Sequence, residues 1–380
     1  MNKRPFIILG GAGLPWVYPL AMELGRLSPI IAINLMAAIP FASNASRWSY
    51  DDPEGLTQRQ TWMYPPGFSS KFQFIFRPVI KNRLNMLMQD LYRRTGEHPY
   101  VITMFPWDYP YVSGVDSDHL IYLNYDDYSV NEENPLERKL VQHAGTILCS
   151  SIYQTERFRK RFPERKSDIF HFPHGVHTSF INPSPERLHD TKSVCIVGTL
   201  SARYNWKLIY EVVTELSEVT FHFIGDVDTG QQVDQRNDWE IMKNTVLKLP
   251  NVKQIQHLEH HQSSKYYWET AVNWMPYMAS LPFVKACSPL KLPDGLASGH
   301  QVISADVLEC RLYPEWVSIY RDADEAVYLI TNALNNVETP EAQTHRHAQI
   351  EFAHKNTWEM RAKRLKEIIG RDSSVAACDQ

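Results

Sequence analysis

The sequence lacks the features that mark several broad classes of protein. Its five cysteines form no Cys-x-x-Cys pair and no regular framework, so we expect reduced thiols in a cytosolic protein. No apolar run approaches the roughly 20 residues that a membrane-spanning helix needs. The net charge of -4 gives no overall reason to expect a nucleic-acid partner. A content of 43% apolar and 22% charged residues is typical of a soluble globular protein.

The start of the chain lacks both a signal sequence and a complete dinucleotide fingerprint. The apolar run at 6–9, after Lys3-Arg4, is too short for a secretory signal, and we expect a first buried strand there. Gly11-x-Gly13 is followed by Trp16 where a third glycine would stand. The next strand ends at Ile33-Asn34 without the acidic residue that holds a ribose. We therefore expect no nicotinamide and no other cofactor.

Two groups of histidines have spacings that suggest a metal site, namely His171, His174 and His177, and His257, His260 and His261. No cysteine or acidic residue completes either group at the spacing that metal ligands need. Pro173 and Gly175 predict a turn between elements. We therefore expect no bound metal.

The length of 380 residues exceeds that of one ordinary core, so two domains are expected. Buried strands alternate with helices before and after the linker Asn182-Pro183-Ser184-Pro185. This pattern predicts an α/β fold with two Rossmann-like domains, 1–178 and 186–340, facing across a cleft. An amphipathic pattern at 341–370 predicts a helix in the segment 341–380 that returns to the first domain.

Acidic residues follow two predicted strands of the first domain. The strand at 100–105 leads to Asp108, and the strand at 119–123 leads to Asp126 and Asp127. Folds of this class place their chemistry at the carboxyl ends of parallel strands. Asp126 and Asp127 are therefore the candidate catalytic residues, and Asp108 is the next. The alternative is that Asp126 or Asp127 caps a helix near Asn134 or makes an Asx turn.

The stretch at 287–299 combines a helix start with a cation and an acid. Ser288-Pro289 predicts the first turn of a helix, whose free N–H groups attract anions. Lys291 adds a positive charge, and Asp294 lies on the same helical face. A cation for phosphate beside a carboxylate for sugar hydroxyls suits a nucleotide-sugar site. Two alternatives stay open: a solvated Lys–Asp pair on a capped helix, and a helix that begins nearer Pro293.

Residues 62–94 combine basic and large apolar side chains. Between residues 69 and 95 there are six lysines and arginines and one acidic residue. An interfacial helix on an anionic membrane has this composition. The alternation of Phe72, Phe74 and Phe76 also fits a strand. The alternative interpretation is a packed helix pair with a solvated basic face.

The second half of the chain resembles the GT-B glycosyltransferases. The resemblance rests on Val194-Cys195-Ile196-Val197-Gly198-Thr199, on the run at 219–225, on His174-Gly175-Val176, and on Pro289-Leu290-Lys291 with Leu296-Ala297-Ser298-Gly299 after it. It covers residues 115–304 and looks most like the inverting glucuronosyltransferases of xanthan-type polysaccharide assembly, which are membrane-associated and use a lipid-linked acceptor. The resemblance implies metal-independent transfer from a nucleotide-diphosphate sugar bound by the second domain.

The resemblance also assigns roles to particular residues. It gives Lys291 the donor diphosphate, Asp294 the ribose and Asp126 the role of general base. Retaining relatives carry a glutamate at the position that Ala286 occupies here, and this departure argues for inversion. The other expected donor-binding residues are Gly198, Thr199 and Leu200 under the phosphates, Leu258, Glu259 and His260 at the base, Tyr277 near the donor, and Ser288, Pro289 and Leu290 before the lysine.

Together these features predict an inverting glycosyltransferase that acts on a lipid-linked or surface-glycan acceptor. The alternatives are a non-catalytic nucleotide-sugar-binding partner of a glycan assembly complex and a nucleotide-sugar epimerase of similar fold. We expect the protein in the cytoplasm, peripheral on the inner face of the plasma membrane through the basic region at 69–95.

Overall fold

The computed structural model describes residues 4–12, 14, 16–37, 57–64, 72–129, 133–186, 190–227, 238–256, 258 and 260–375. The chain divides into two compact units. The first unit is Met1–His174 together with Trp358–Gln380, and the second is Gly175–Thr357. The first break between the units therefore precedes the proline-rich linker at which the sequence places it.

The first unit is built on a seven-stranded sheet in which every pair of neighbouring strands is parallel. The strands β1, β4, β5 and β6 are buried at every position, which requires cover on both faces of the sheet. Their order is β3-β2-β1-β4-β5-β6-β7, so the direction of winding reverses between β1 and β4. The strands are β1 (Phe6–Leu9), β2 (Ile30–Ala37), β3 (Gln58–Tyr64), β4 (Tyr100–Thr103), β5 (Leu120–Asn124), β6 (Thr146–Cys149) and β7 (Ile169–His171).

Two helices of the first unit decide between alternatives that the sequence left open. Asn134 caps α4 by accepting bonds from the N–H groups of Leu136 and Glu137, so the interpretation that Asp126 or Asp127 caps this helix is wrong. Residues 73–95 form one helix, which rules out a strand through Phe74 and Phe76. These helices are α1 (Tyr18–Leu27), α2 (Gln73–Thr95), α3 (Tyr109–Val112), α4 (Pro135–His143) and α5 (Ile152–Arg161).

The second unit repeats the design with a six-stranded parallel sheet of order β10-β9-β8-β11-β12-β13. Here the winding reverses between β8 and β11. The strands are β8 (Asp190–Val197), β9 (Thr220–Ile224), β10 (Val252–Ile255), β11 (Thr270–Met275), β12 (Gln301–Ala305) and β13 (Val317–Tyr320). The helices are α6 (Trp206–Glu215), α7 (Asp238–Val246), α8 (Ser264–Glu269), α9 (Pro282–Ala286), α10 (Lys291–Ala297), α11 (Ala323–Asn336) and α12 (Pro340–Lys355).

The single C-terminal helix predicted at 341–370 is in fact two helices. The first, α12, ends at Lys355 and packs against α10 in the second unit. The second, α13 (Trp358–Val375), packs against α1 in the first unit, where Lys366 Nζ donates to Ser28 Oγ over 2.8 Å. Only α13 therefore joins the first unit. None of the helices in the described part of the chain combines the length and hydropathy needed to cross a bilayer.

A substitution at Gly145 tests how tightly the loops of the first unit pack. A Cβ added at Gly145 would lie 2.5 Å from the backbone oxygen of Ser117, which cannot move away as a side chain could. We expect Gly145→Ala to lower the free energy of unfolding by about 1–3 kcal/mol, because overpacking displaces the backbone. The measurement is the midpoint of urea unfolding followed by circular dichroism.

Gly370 in α13 is the matched control in the same unit, because a Cβ there would meet nothing within 4 Å. Gly370→Ala should be neutral or should stabilise by up to about 1 kcal/mol through helix propensity. Equal unfolding midpoints for the two variants would contradict the packing at Gly145.

Candidate functional site

Each sheet has one place where a ligand site is expected from topology alone. In open parallel sheets, ligands bind beyond the carboxyl ends of the strands where the winding reverses. In the second unit this switch point lies between β8 and β11, followed by Gly198 and Tyr277 respectively. In the first unit it lies between β1 and β4, followed by Gly10 and Asp108.

A lysine occupies the switch point of the second unit. Lys291, the first residue of α10, places its ammonium 4.6 Å from the ring centre of Tyr204 and 4.8 Å from that of Tyr277. The ammonium donates to Tyr204 Oη over 2.5 Å, and that hydroxyl donates to the carbonyl of Val197 at the end of β8 over 3.2 Å. The two rings and the strand end therefore fix the position of the charge.

Gly198 leaves room for this ammonium. Its φ of +118° lies in a region that side chains disfavour, and a Cβ there would lie 2.9 Å from Lys291 Nζ. The backbone after β8 can therefore approach the charge closely, as the predicted role under the phosphates requires. Gly198, Tyr277 and Lys291, which the sequence assigns to one site, are brought together.

Burial lowers the pKa of Lys291 to about 7, although the whole side chain keeps some exposed surface. Both tyrosine rings contact the ammonium itself, so the burial of this charged end lowers the pKa even though part of the methylene stem is exposed. Cys287 opposes the shift, and the positive charge of Arg203 adds to it. None of the neighbours that shift this pKa in the described structure is a carboxylate. The site therefore holds cations that a bound anion would stabilise.

The predicted helix start at Ser288 is wrong by two residues. The N-cap position of α10 is Leu290, without a side-chain cap, and the helix begins at Lys291. Pro293 is then the third residue of the helix, where no intrahelical donor is needed, so the proline that conflicted with a cap at Ser288 fits. Ser288 is half-buried and Pro289 is buried in the turn before the helix.

The other predicted donor-site residues differ in their surroundings. Thr199 is exposed, whereas Leu200 is buried and its N–H donates to the carbonyl of Asp226. Asp294 is buried, and its charge raises the pKa of Tyr267 further than burial alone does. Leu258 is half-buried. Glu259 and the side chain of His260 lie outside the described residues. A ribose contact by Asp294 stays a prediction.

In the first unit, the two candidate aspartates are not equivalent. Asp127 Oδ1 accepts from Arg157 Nη1 over 2.5 Å and from the N–H of Ser129 over 3.0 Å, so its carboxylate closes an Asx turn and an ion pair. Asp126 is half-buried at the end of β5, and its backbone oxygen accepts from Asn124. The Asp127 carboxylate is therefore tied into local structure, and a catalytic role for either aspartate stays a prediction.

The ion pair of Asp127 belongs to a larger buried network. Arg157 Nη2 donates to Glu137 Oε2 over 3.1 Å, and the same carboxylate accepts from Ser129 and Tyr122. Burial raises the pKa of Glu137, while Ser129 and Arg157 lower it. One guanidinium thus holds two carboxylates behind the end of β5.

Asp108 lies at the switch point of the first unit. It is 2% exposed, and burial raises its pKa to about 8, with Thr103 Oγ1 donating to Oδ2 over 3.4 Å. A Cβ at Gly10, whose φ is +76°, would lie 2.9 Å from the same oxygen. A carboxyl group that is largely protonated at neutral pH therefore sits under the turn that leaves β1.

Tyr204 and Arg203, which no pattern in the sequence indicated, complete the surroundings of Lys291. They follow β8 in a loop that pairs with the segment after β11, and Arg203 lies over the ring of Phe283 at 4.3 Å. The only signal for them was their place in the loop after Gly198. Contacts across the sheet edge are tertiary, and residue spacing along the chain does not reveal them.

The histidine groups do not form a metal site in the described part of the chain. His174 stacks on Tyr125 with the ring centres 5.2 Å apart, and His177 Nδ1 accepts from the N–H of Ser179. Among the described residues no three histidine, cysteine, aspartate or glutamate side chains lie close enough to hold a metal ion. His257 lies outside those residues.

The architecture matches solved structures of GT-B glycosyltransferases along the whole chain. A glycosyltransferase from Rickettsia africae aligns with a TM-score of 0.68 at 10% identity, covering 98% of this chain and 99% of that one. Sucrose-phosphate synthase from Thermosynechococcus elongatus gives 0.67 at 13%, covering 98% and 100%. HepE from Anabaena, solved with UDP, gives 0.65 at 12%, covering 97% and 100%. These identities establish the fold alone. No family model and no curated protein matches the sequence.

The buried ion network in the first unit generates a stability prediction. Arg157 is 19% exposed, and its partners Asp127 and Glu137 are 5% and 1% exposed. Arg157→Met should lower the free energy of unfolding by about 3–5 kcal/mol at neutral pH, because it leaves two buried carboxylates unpaired. Urea unfolding measures the change.

The control is Arg364→Met, which removes an exposed pair with Glu367 on α13 of the same unit. Such pairs contribute about 0–1 kcal/mol. Adding Glu137→Gln to Arg157→Met should recover part of the loss. If the two arginine variants unfold at the same urea concentration, the network carries no stability.

Proposed function

We propose that the chain is a glycosyltransferase that takes a sugar from a nucleotide-diphosphate donor held by the second unit. The observation that carries the proposal is the Lys291 ammonium at the switch point of β8 and β11, in contact with two tyrosine rings and close to Gly198. Arg203 brings a second positive charge to the same place. In the described part of the chain no carboxylate shifts the pKa of Lys291, and a diphosphate supplies negative charge for both cations.

The same charges suit the chemistry of transfer. As the bond between the anomeric carbon and the diphosphate breaks, negative charge develops on the departing oxygen. An ammonium already fixed by Tyr204 needs little reorganisation to stabilise that charge. Because its pKa is lowered, Lys291 is a stronger acid than a free lysine. Its hydrogen bond to the departing oxygen therefore strengthens as negative charge develops there.

Uridine diphosphate is the first nucleotide to test. HepE, which shares the fold, has been solved with UDP and with UDP-glucose. A common fold does not transfer a ligand from one protein to another, but it supports the choice of probe. The lysine and the arginine at the switch point of this chain supply the independent reason for a diphosphate.

We extend the proposal to an inverting reaction in which Asp126 is the general base. In this reaction the base takes the proton from the acceptor hydroxyl, the oxygen bonds to the anomeric carbon, and the nucleoside diphosphate leaves from the opposite face. Asp126 follows β5 at the carboxyl edge of the first sheet. Asp127 is held by Arg157 and Ser129, which leaves the role to Asp126.

We further propose that a face of α2 docks on an anionic membrane that carries a lipid-linked acceptor. Large apolar side chains on this helix point to solvent: Phe74 is 74% exposed, Val79 52% and Met86 62%. The segment 69–95 has six basic residues and one acidic residue. Apolar side chains flanked by positive charge match the chemistry of an anionic lipid surface.

Removing the lysine tests the donor site. Lys291→Met should weaken UDP binding by at least about tenfold, since hydrogen bonds to charged groups contribute about 1.5–3 kcal/mol. In the unaltered protein, affinity should fall as pH rises from 7 to 9, because the free ammonium loses its proton around pH 7 and the diphosphate binds the charged form. Titration calorimetry at each pH measures both effects.

The control is Lys285→Met, which removes an exposed lysine of α9 close in sequence. It should leave UDP affinity and its pH dependence unchanged. Unaltered binding in Lys291→Met, or a pH dependence that survives in that variant, would contradict the assignment of the diphosphate to this site.

Replacing the base should affect turnover and spare the donor. Asp126→Asn should reduce the rate of sugar transfer by about 10² to 10⁴ while UDP affinity stays the same. Asp127→Asn should mainly lower the free energy of unfolding, because it breaks the pair with Arg157, and should reduce the rate of sugar transfer less than Asp126→Asn does. The readout is the anomeric configuration and rate of product formation by NMR. A retained configuration, or full activity of Asp126→Asn, would overturn the inverting assignment.

The membrane proposal predicts salt-dependent binding to lipid. The protein should co-sediment with vesicles containing phosphatidylglycerol at low salt, and less at high salt or with phosphatidylcholine vesicles. Phe74→Ser and Val79→Ser should each reduce recovery, whereas Tyr328→Ser, an exposed aromatic of α11, should not. Equal recovery with both lipids would refute the proposal.

A further inference from the structure

An exposed tryptophan lies at the switch point of the first unit. Trp107, four residues after the end of β4, is 40% exposed. Its ring lies parallel to that of Phe105, with the centres 4.7 Å apart and the planes 10° apart. Tyr128 meets it edge-on, with the centres 5.4 Å apart and the planes at 82°. Phe105 also contacts Tyr128 edge-on.

This arrangement holds the indole in place without burying it. Parallel and edge-on contacts are the preferred geometries of aromatic pairs, so the rings stabilise one orientation of Trp107. Its backbone oxygen also accepts from Gln73 Nε2 over 3.2 Å. A large apolar ring held rigid at the surface loses little side-chain entropy when a ligand packs on it.

Polar groups surround the aromatic cluster formed by Phe105, Trp107 and Tyr128. Asp108 follows Trp107 directly, and its carboxyl group and that of Asp126 both raise the pKa of Tyr128 beyond the effect of burial. The phenol hydroxyl is therefore within electrostatic reach of both acids. The charged groups at this edge are mainly carboxylates, and Arg157 is already engaged by two of them.

We infer that the aromatic cluster, with Asp108 and Asp126 beside it, is the subsite for a sugar ring of the acceptor, which packs its C–H face on Trp107. The inference rests on the proposed function and names the substrate class that the first unit would take. A pyranose has an apolar face for the indole and hydroxyls at its rim for carboxyl and phenol groups.

The charges at this edge of the sheet favour a neutral sugar ring over an anionic ligand. A phosphate placed here would meet the carboxylate of Asp126, and like charges repel. Asp108 is largely protonated at neutral pH and therefore adds little negative charge to this edge. The sugar could belong to a lipid-linked carrier, a sugar phosphate or a free glycan, and the probes below distinguish these sources.

The test is saturation-transfer NMR with methyl β-D-glucopyranoside, methyl β-D-galactopyranoside, octyl β-D-glucopyranoside below its critical micelle concentration, and glucose 6-phosphate. At least one glycoside should receive saturation on the C–H protons of its ring. Trp107→Ala should weaken that binding by about tenfold or more, as removal of an aromatic anchor does, and Trp107→Phe should retain most of it. Preference for the octyl glycoside would indicate a lipid-linked source, and preference for glucose 6-phosphate a phosphorylated one.

Two controls separate this inference from the proposed function. Tyr328→Ala, which removes an exposed aromatic of α11, should leave glycoside binding unchanged. UDP is titrated in parallel, and its affinity should be the same in Trp107→Ala. Glycoside binding without UDP binding would keep the subsite and reject the donor site. UDP binding with no saturation of any glycoside, or with equal saturation in Trp107→Ala, would overturn the subsite.

Discussion

The position of one ammonium group constrains much of the second unit. Lys291 Nζ is in contact with two tyrosine rings, a hydroxyl acceptor and a close backbone, and these come from two separate segments. The loop after β8 supplies Tyr204 and Gly198, and the segment after β11 supplies Tyr277. A partly buried cation without a carboxylate partner is costly to fold around. Retaining such a charge is explained most simply by an anionic ligand that compensates it.

The two switch points carry opposite chemistry. The second unit presents a lysine and an arginine, whereas the first presents Asp126, a largely protonated Asp108 and the exposed ring of Trp107. A donor with a diphosphate suits the cations of the second unit, and an acceptor hydroxyl that must lose a proton suits the carboxylate of the first unit. Arg157 and Glu137 support the acidic edge from behind, because they fix Asp127 and the start of the loop that follows β5. The division of charge between the units is thus consistent with the proposed transfer of a sugar.

Much of the fold could be predicted from the sequence because buried parallel strands are continuous apolar runs. β1, β4, β5, β6 and β11 are such runs, and each forms where the pattern indicated. β3 was missed because Gln58, Arg59 and Gln60 give an edge strand a polar start. The break between α12 and α13 was missed because both sides of Asn356-Thr357 keep a helical pattern, and only packing against different units separates them.

The candidate site was predictable only in part, because several of its contacts are tertiary. Lys291 stands in a local pattern that indicates phosphate binding, and Gly198 and Tyr277 were placed with it through the family resemblance. Tyr204 and the stack of Trp107 on Phe105 arise from tertiary contacts, which leave no regular spacing in the sequence. Asp126 and Asp127 are adjacent in the chain, and only Arg157, thirty residues further on, distinguishes their roles.

The measurement that tests the account most directly is the release of nucleoside diphosphate from a panel of UDP-, GDP- and ADP-sugars, with and without glycoside acceptors. The account predicts that one class of donor is consumed, that a glycoside acceptor accelerates its consumption, and that mass spectrometry finds the sugar joined to the acceptor. Binding without turnover would favour a non-catalytic partner, and an isomerised donor would favour an epimerase. Either result, or no binding of any nucleotide sugar, would contradict the assignment as a glycosyltransferase.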